Sequence, residues 1–388
     1  MENKKPQIIL IHPETRSYRV PIFTMLSKAY DTTFLFMEGK RHSSQFPESK
    51  QWKYKDLTQY PMIGYSSDFS LGLIKELLKC RKAYHIIISS GLASFATHIS
   101  FLIAKILGKK FIVWAEDWVW PKNILARLAL PYIRFIVHHA DACIVAGTKA
   151  RDFFLTLGVK PEKIFIAPNC ARDISTIPVD HAKLNTLRTH INPAGKTIIS
   201  YLGRIVRYKA LNTLIEAFAK LEQERDDVLL LITGDGPFAF ECKNLIDNLH
   251  LKNFYWPQYE KLSGTKEQEP MPQSEFLYYY YVTSIFVLPG RFIWKNNVPC
   301  ESWGFTIHEA LSLAIPTIST TSVAAAWDLL NEEYIAEEGS VSSLLERLKY
   351  LLTLPLKETG QKQRAKLYST ITYQKMFDGF NRAIKSTS

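Results

Sequence analysis

The order in which apolar runs and amphipathic segments succeed one another constrains this chain most. Gln7–Ile11 (QIILI) is a continuous apolar run between Pro6 and Pro13, the pattern of a strand buried on both faces of a parallel sheet. Runs of the same kind at Thr33–Met37, His85–Ser89, Phe111–Trp114, Ala142–Val145 and Ile164–Ala167 alternate with helical spacing at Tyr18–Tyr30, Leu71–Leu78, Phe95–Leu107, Ile124–His138 and Thr148–Leu157. A polar interval, Pro168–Ala194, follows, and the alternation then restarts. Strands are expected at Thr197–Leu202, Val228–Thr233, Phe254–Trp256, Ile285–Leu288 and Thr317–Ser319. Helices are expected at Leu211–Leu221, Phe238–Leu249, Ser274–Tyr280, Phe305–Leu313, Val341–Leu351 and Tyr373–Lys385. Repeated strand–helix alternation favours open parallel sheets with helices on both faces. The expected fold class is α/β, with two Rossmann-like doubly wound domains facing across a cleft. Residues 1–175 form the first, 176–195 a linker and 196–370 the second, while the helix in 371–388 crosses back to the first. Residues 261–273 (KLSGTKEQEPMPQ) read as a surface insertion.

Charge separates the two halves. Residues 1–175 carry 25 Lys+Arg against 14 Asp+Glu, whereas residues 176–388 carry 23 of each, so the net charge of +11 sits entirely in the first half. Such asymmetry points to an anionic partner, a lipid headgroup layer or a nucleic acid. No RNA-binding motif supports the nucleic acid, so none is expected as a partner. The five cysteines, at 80, 143, 170, 242 and 300, form no CxxC pair, which argues against a disulfide framework or a zinc site and fits the cytoplasm. The apolar run near the N-terminus is too short for a signal peptide. Ala83–Ala104 lacks Lys, Arg, Asp and Glu, but His85, His98 and a Ser-Ser-Gly turn make it a strand, a turn and a buried helix rather than a membrane span.

Three constellations carry chemistry. Gly203-Arg204-Ile-Val-Arg207-Tyr-Lys209 ends a strand and gathers cations at the carboxyl edge of a sheet, where ligands bind in such folds. Arg204 can fork onto phosphate and Lys209 adds a point charge. Gly234-Asp235-Gly236-Pro237 follows another apolar strand, and its glycines permit close backbone approach to a ligand. In Glu301-Ser-Trp303-Gly304-Phe305-Thr306-Ile-His308-Glu309, one carboxylate precedes a helix and the second lies within it, and the Trp303–Thr306 amides stand at the helix start. Carboxylates accept from sugar hydroxyls and amides donate to anionic oxygens, so a hydroxyl-rich, phosphate-bearing ligand suits this segment.

In this order the three segments resemble the donor half of the family-4 retaining glycosyltransferases, which have the GT-B architecture. The resemblance extends through HEALSLAIPTIST and SEFLYYYYVTSIFVLPG and covers about residues 197–320, while the first half is similar mainly in pattern. It implies transfer of a sugar from a nucleotide-sugar donor to a hydroxyl of a glycan or lipid-linked acceptor, in cell-surface polysaccharide or glycolipid synthesis. Arg204 and Lys209 would hold the donor diphosphate, Glu309 the ribose hydroxyls and Glu301 the donor sugar. Gly203, Gly234, Gly236, Trp303, Gly304, Phe305 and Thr306 would line the donor site, with Trp256–Tyr259 near the nucleoside. No metal and no cofactor is implied, because cations and helix dipoles serve the diphosphate, and no DxD sequence occurs.

The first half departs from the family. His12-Pro13-Glu14-Thr15-Arg16 replaces a Gly-rich turn, so Arg16 or Arg19 is expected to supply charge there. VWAEDWVWP ends on Glu116 and Asp117 where many members have a histidine, and one of the two is expected to take its place. His138 and His139 read as structural, Tyr278–Tyr281 as helix packing, and His308 as packing beside Glu309. Lys75, Lys79, Arg81, Lys82, Lys105, Lys109 and Lys110 flank apolar helices, as in a protein held peripherally on the anionic inner face of a membrane. A sugar-nucleotide epimerase of the same architecture, a non-enzymatic basic surface binder and a silent relative are the rival readings.

Overall fold

A computed structural model describes residues 5–13, 15–37, 46–57, 71–192, 194–262, 271–294 and 300–387. The chain divides into two compact units. The first comprises residues 1–120, 124–170 and 371–388, and the second 121–123 and 171–370.

The first unit is a seven-stranded parallel sheet. Its elements run β1 (Gln7–His12), α1 (Val20–Ala29), β2 (Asp31–Phe36), β3 (Lys53–Asp56), α2 (Leu71–Lys79), β4 (Ile86–Ser90), α3 (Phe95–Ile106), β5 (Lys110–Ala115), α4 (Ile124–His139), β6 (Ala142–Val145), α5 (Thr148–Thr156) and β7 (Ile164–Ile166). The strand order is β3-β2-β1-β4-β5-β6-β7, so the direction of winding reverses between β1 and β4. There Leu10 pairs with Phe34 on one side and Ile88 on the other. Continuous apolar runs become central strands because both faces are covered, and β6 is buried at every residue. β3 has no such run: Lys-Tyr-Lys-Asp alternates exposed and half-buried residues at the sheet edge, and the apolar pattern does not announce it.

The second unit holds α6 (His181–Ile191), β8 (Thr197–Leu202), α7 (Leu211–Glu222), β9 (Val228–Thr233), α8 (Ala239–Leu249), β10 (Phe254–Tyr255), α9 (Gln273–Val282), β11 (Ile285–Leu288), α10 (Phe305–Ser312), β12 (Thr317–Thr320), α11 (Ala324–Leu329), β13 (Ile335–Ala336), α12 (Val341–Leu352) and α13 (Leu356–Thr370). Its six parallel strands run β10-β9-β8-β11-β12-β13, reversing between β8 and β11. The interval expected as an irregular linker contains a helix. Asp180 caps α6 by accepting from the Ala182 and Lys183 N–H groups at 2.8 and 3.2 Å, and the helix buries only Leu184 and Ile191. The unit accordingly begins at Ala171, not at residue 196. Most of the expected surface insertion 261–273 lies outside the described residues.

The last helix, α14 (Tyr373–Thr387), belongs to the first unit. Phe380 sets its ring edge against Trp114 at 5.0 Å between centroids, and the Tyr373 hydroxyl donates to the Tyr18 carbonyl at 2.9 Å. A side chain at Gly379 would meet the Ile166 carbonyl oxygen at 2.4 Å, so this helix lies directly on the end of β7. Among the described residues no helix is long and apolar enough to cross a membrane. Among the described residues no disulfide joins the five cysteines.

Candidate active site

Each unit gathers chemistry-bearing residues at the carboxyl ends of its strands, beside the point where winding reverses. That is where open α/β sheets bind ligands.

In the second unit the loops after β8 and β9 lie one upon the other. The Ile205 N–H donates to the Asp235 carbonyl at 2.8 Å and the Gly203 N–H to the Thr233 carbonyl at 3.0 Å. Gly234 has φ +138°, and a Cβ there would sit 2.0 Å from the Gly203 carbonyl oxygen. No residue with a side chain fits. Trp256, nearly fully buried, donates its indole N–H to the Gly234 carbonyl at 3.2 Å and props the turn from behind. Gly203 is then flanked by Lys209 Nζ and Thr306 Cγ2, which lie 3.6 and 3.8 Å from where its Cβ would be. The space over Gly203 is therefore bounded by a cation and by the first turn of α10.

Lys209 Nζ lies 3.3 Å from Glu301 Oε2, both side chains being 14% exposed. Burial works against the ammonium, but Glu301, Tyr208 and Glu309 outweigh it and hold the Lys209 pKa above its ordinary value, so the group is charged. Both carboxylates of ESWGFTIHE thus act on one lysine. They do so from different elements: Glu301 bridges to Val323 ahead of the helix, and Glu309 lies within it. The Tyr280 hydroxyl donates to Glu309 Oε2 at 2.7 Å. Burial raises the Glu309 pKa, while that hydrogen bond and Lys209 pull the other way. Gly304, at φ +100°, caps α10, which opens with Phe305 and Thr306. The buried Thr306 hydroxyl and Trp303 indole N–H find no hydrogen-bond partner among the described residues. The Trp303 ring itself is in the core at 1% exposure, and its carbonyl accepts from the Ala325 N–H. Arg204 is exposed, with its carbonyl accepting from the Tyr201 hydroxyl at 2.8 Å. A Cβ at Gly236 would meet the Ile205 carbonyl oxygen at 2.3 Å. His308 is buried, with its pKa pushed down to about 4 by desolvation, and its Nδ1 faces the Ala171 N–H at 3.5 Å, so it packs as a neutral ring.

In the first unit a cavity of about 320 Å³ opens over the ends of β1, β4 and β5, lined by His12, Arg16, Ser90, Gly91, Glu116 and Asp117 among others. Arg19 also lines it, at 1% exposure. Its guanidinium pairs with Glu116, donates to Asn169 Oδ1 at 2.8 Å and stacks 4.6 Å from the Trp114 ring. Arg16 and Arg19, read together from sequence as alternative charge donors, therefore divide. Both line the cavity, but Arg16 is exposed, whereas Arg19 is buried and clamps Glu116. The Arg19–Asn169 and Tyr280–Glu309 pairs escape a sequence reading because 150 and 29 residues separate the partners. Elsewhere, His138 and His139 turn to the Leu157 and Phe135 carbonyls and so cap backbone.

Asp117 accepts from the Leu92 N–H at 3.3 Å, yet burial pushes its pKa up to about 6. A carboxyl raised in the fold favours the folded state while protonated, and that contribution is lost as pH rises through about 6. Asp117→Asn is expected to raise stability near pH 7.5 by about 1–3 kcal/mol, with the gain shrinking toward pH 4. Melting curves at the two pH values check this, and a gain of equal size at both contradicts the burial of the ionised carboxyl.

Residues 185–369 match the family model described as Glycosyl transferases group 1. The chain is 27% identical over 211 residues to the alpha-monoglucosyldiacylglycerol synthase of Streptococcus pneumoniae, covering 53% of this chain and 44% of that protein. It is 26% identical over 198 residues to the capsular polysaccharide biosynthesis glycosyltransferase CapM of Staphylococcus aureus, covering 49% and 47%. The chain thus spans about half the length of the curated relatives it matches. Among solved structures, Anabaena Alr3699/HepE in complex with UDP superposes with a TM-score of 0.76 over 98% of this chain and 100% of that one, at 13% identity. That likeness is one of fold: α/β, two Rossmann-like domains, GT-B.

Proposed function

We propose that this chain, whose residues 185–369 match the Glycosyl transferases group 1 model, carries out a retaining transfer of a sugar from a nucleoside-diphosphate sugar to a hydroxyl of a glycan or lipid-linked acceptor. The observation that carries it is Lys209, held charged between Glu301 and Glu309 over the Gly203 turn, at the first turn of α10. A diphosphate there meets the Lys209 ammonium, the exposed Arg204 and the α10 amides, a set of donors that needs no metal ion. As the bond to the sugar breaks, negative charge grows on the departing phosphate, and these fixed cations stabilise it more than the ground state. Glu309, oriented by Tyr280, accepts from the ribose hydroxyls, and Glu301 from a hydroxyl of the transferred sugar. In the first unit, Glu116 clamped by Arg19, together with Asp117 and Arg16, lines the acceptor-side cavity. The UDP bound to HepE and the glycosyltransferase relatives support this class of donor.

The test is incubation of the full chain with a panel of nucleoside-diphosphate sugars and hydroxyl acceptors, reading released nucleoside diphosphate and anomeric configuration by NMR. The expected result is one product glycoside per diphosphate released, with the donor's anomeric configuration kept. Donor consumed without any glycoside would favour the epimerase reading, and an inverted product would overturn retention.

A further inference from the structure

The outer face of α3 and α4 is apolar and uncovered. On α4, Ile124, Leu125 and Leu128 are 69, 75 and 72% exposed. With Tyr132 and Phe135 they fall within about 100° of the helix circumference, and the buried Ile133, Ile136 and Val137 occupy the next about 100°. On α3, Phe95, Leu102 and Ile106 are 58, 45 and 80% exposed at spacings that also share one face. The two stripes adjoin, since the His98 and Tyr132 rings lie 5.2 Å apart and Phe101 and Phe135 lie 6.0 Å apart. Monomeric proteins rarely leave large contiguous apolar patches facing water.

Charge selects the occupant. Neither helix carries a single Asp or Glu, while Arg127 and Arg134 run together along one border of the α4 stripe, both exposed. A second copy docked by twofold symmetry would bring the same arginines to its contact with no carboxylate to meet them. An anionic bilayer surface meets both needs, with acyl chains for the leucines and headgroups for the arginines. The lysines that sequence reading assigned to this role are partly engaged elsewhere. Lys105 and Lys110 pair with Asp141 at 3.4 and 3.1 Å, and Lys109 lies over the Tyr84 ring at 5.3 Å. We infer that the α3–α4 face lies in the plane of an anionic membrane surface, with Ile124, Leu125 and Leu128 entering the acyl boundary and Arg127 and Arg134 at the headgroups. This stands apart from the transfer reaction, because binding is read without donor or acceptor.

The test is co-sedimentation of the full chain with phosphatidylcholine vesicles, with and without phosphatidylglycerol. The chain is expected to sediment with the anionic vesicles, and added salt weakens the binding. L125D/L128D is expected to lower the partition coefficient at least about tenfold, at unchanged melting temperature because both positions are solvated. R127E/R134E is expected to remove the preference for phosphatidylglycerol. Failure of the unmodified chain to bind anionic vesicles at low salt would overturn the inference, as would full binding by L125D/L128D. A lipid-free dimer that L125D/L128D splits would also overturn it, by assigning the face to a second copy.

Discussion

Lys209→Ala is expected to lower turnover by about a hundred- to a thousandfold, the cost of deleting one preorganised charge at a developing anion. The substitution also touches the fold, because Lys209 and Glu301 are a largely buried pair. Removing the cation strands a carboxylate, which costs about 3 kcal/mol or more at such sites. The two effects separate in Lys209→Ala combined with Glu301→Gln. A neutral amide no longer demands a counter-charge, so the double variant is expected to recover most of the lost melting temperature and none of the turnover. Steady-state kinetics beside thermal melts read both. Recovery of turnover along with stability would make Lys209 a structural residue and remove it from the diphosphate site.

The second large effect concerns Gly234. Alanine there pays twice: for a left-sided φ of +138°, and for a Cβ that would overlap the Gly203 carbonyl oxygen. Only movement of the loop bearing Gly203 and Lys209 relieves the overlap. Gly234→Ala is therefore expected to cost about 2–4 kcal/mol and to abolish nucleotide binding in whatever fraction stays folded. Gly339 is the control: its φ is also positive, at +70°, but no atom lies within 4 Å of its Cβ position. Gly339→Ala should cost only about 1 kcal/mol and leave nucleotide binding intact. Equal effects of the two substitutions, measured by denaturant titration and ligand binding, would show that the stacking of the two loops is not what Gly234 secures.

Legibility in the sequence followed locality. β6, β8, β9 and β11 occupy the expected residues because each is an unbroken apolar run that only a covered parallel sheet satisfies. Elements with little to bury went unseen. β3 is a charged edge strand, and α6 leans on its Asp180 cap. α13 was missed because a long polar helix lacks a clear apolar stripe, and only Thr359, Gly360, Gln363 and Leu367 are buried along it. The same rule divides the site. Lys209, Glu301 and Glu309, which the structure brings together, stand out as candidates in the sequence because each lies in a short segment that starts or ends on a glycine or a helix. Their supporting partners come from distant segments brought close only by the sheet: Trp256 behind Gly234, Tyr280 on Glu309, and Arg19 under Glu116. Tyr280 read as a packing residue within a tyrosine run, and it is one, but its hydroxyl also aims the carboxylate.

Calorimetric titration of nucleosides and nucleoside diphosphates into the full chain reads the Lys209 cradle most directly. One nucleoside diphosphate should bind far more tightly than its nucleoside, and the difference should collapse in Lys209→Ala, while the nucleoside binds both chains alike. Absence of binding by every nucleoside diphosphate, or a diphosphate that binds Lys209→Ala as tightly as the unmodified chain, would contradict it.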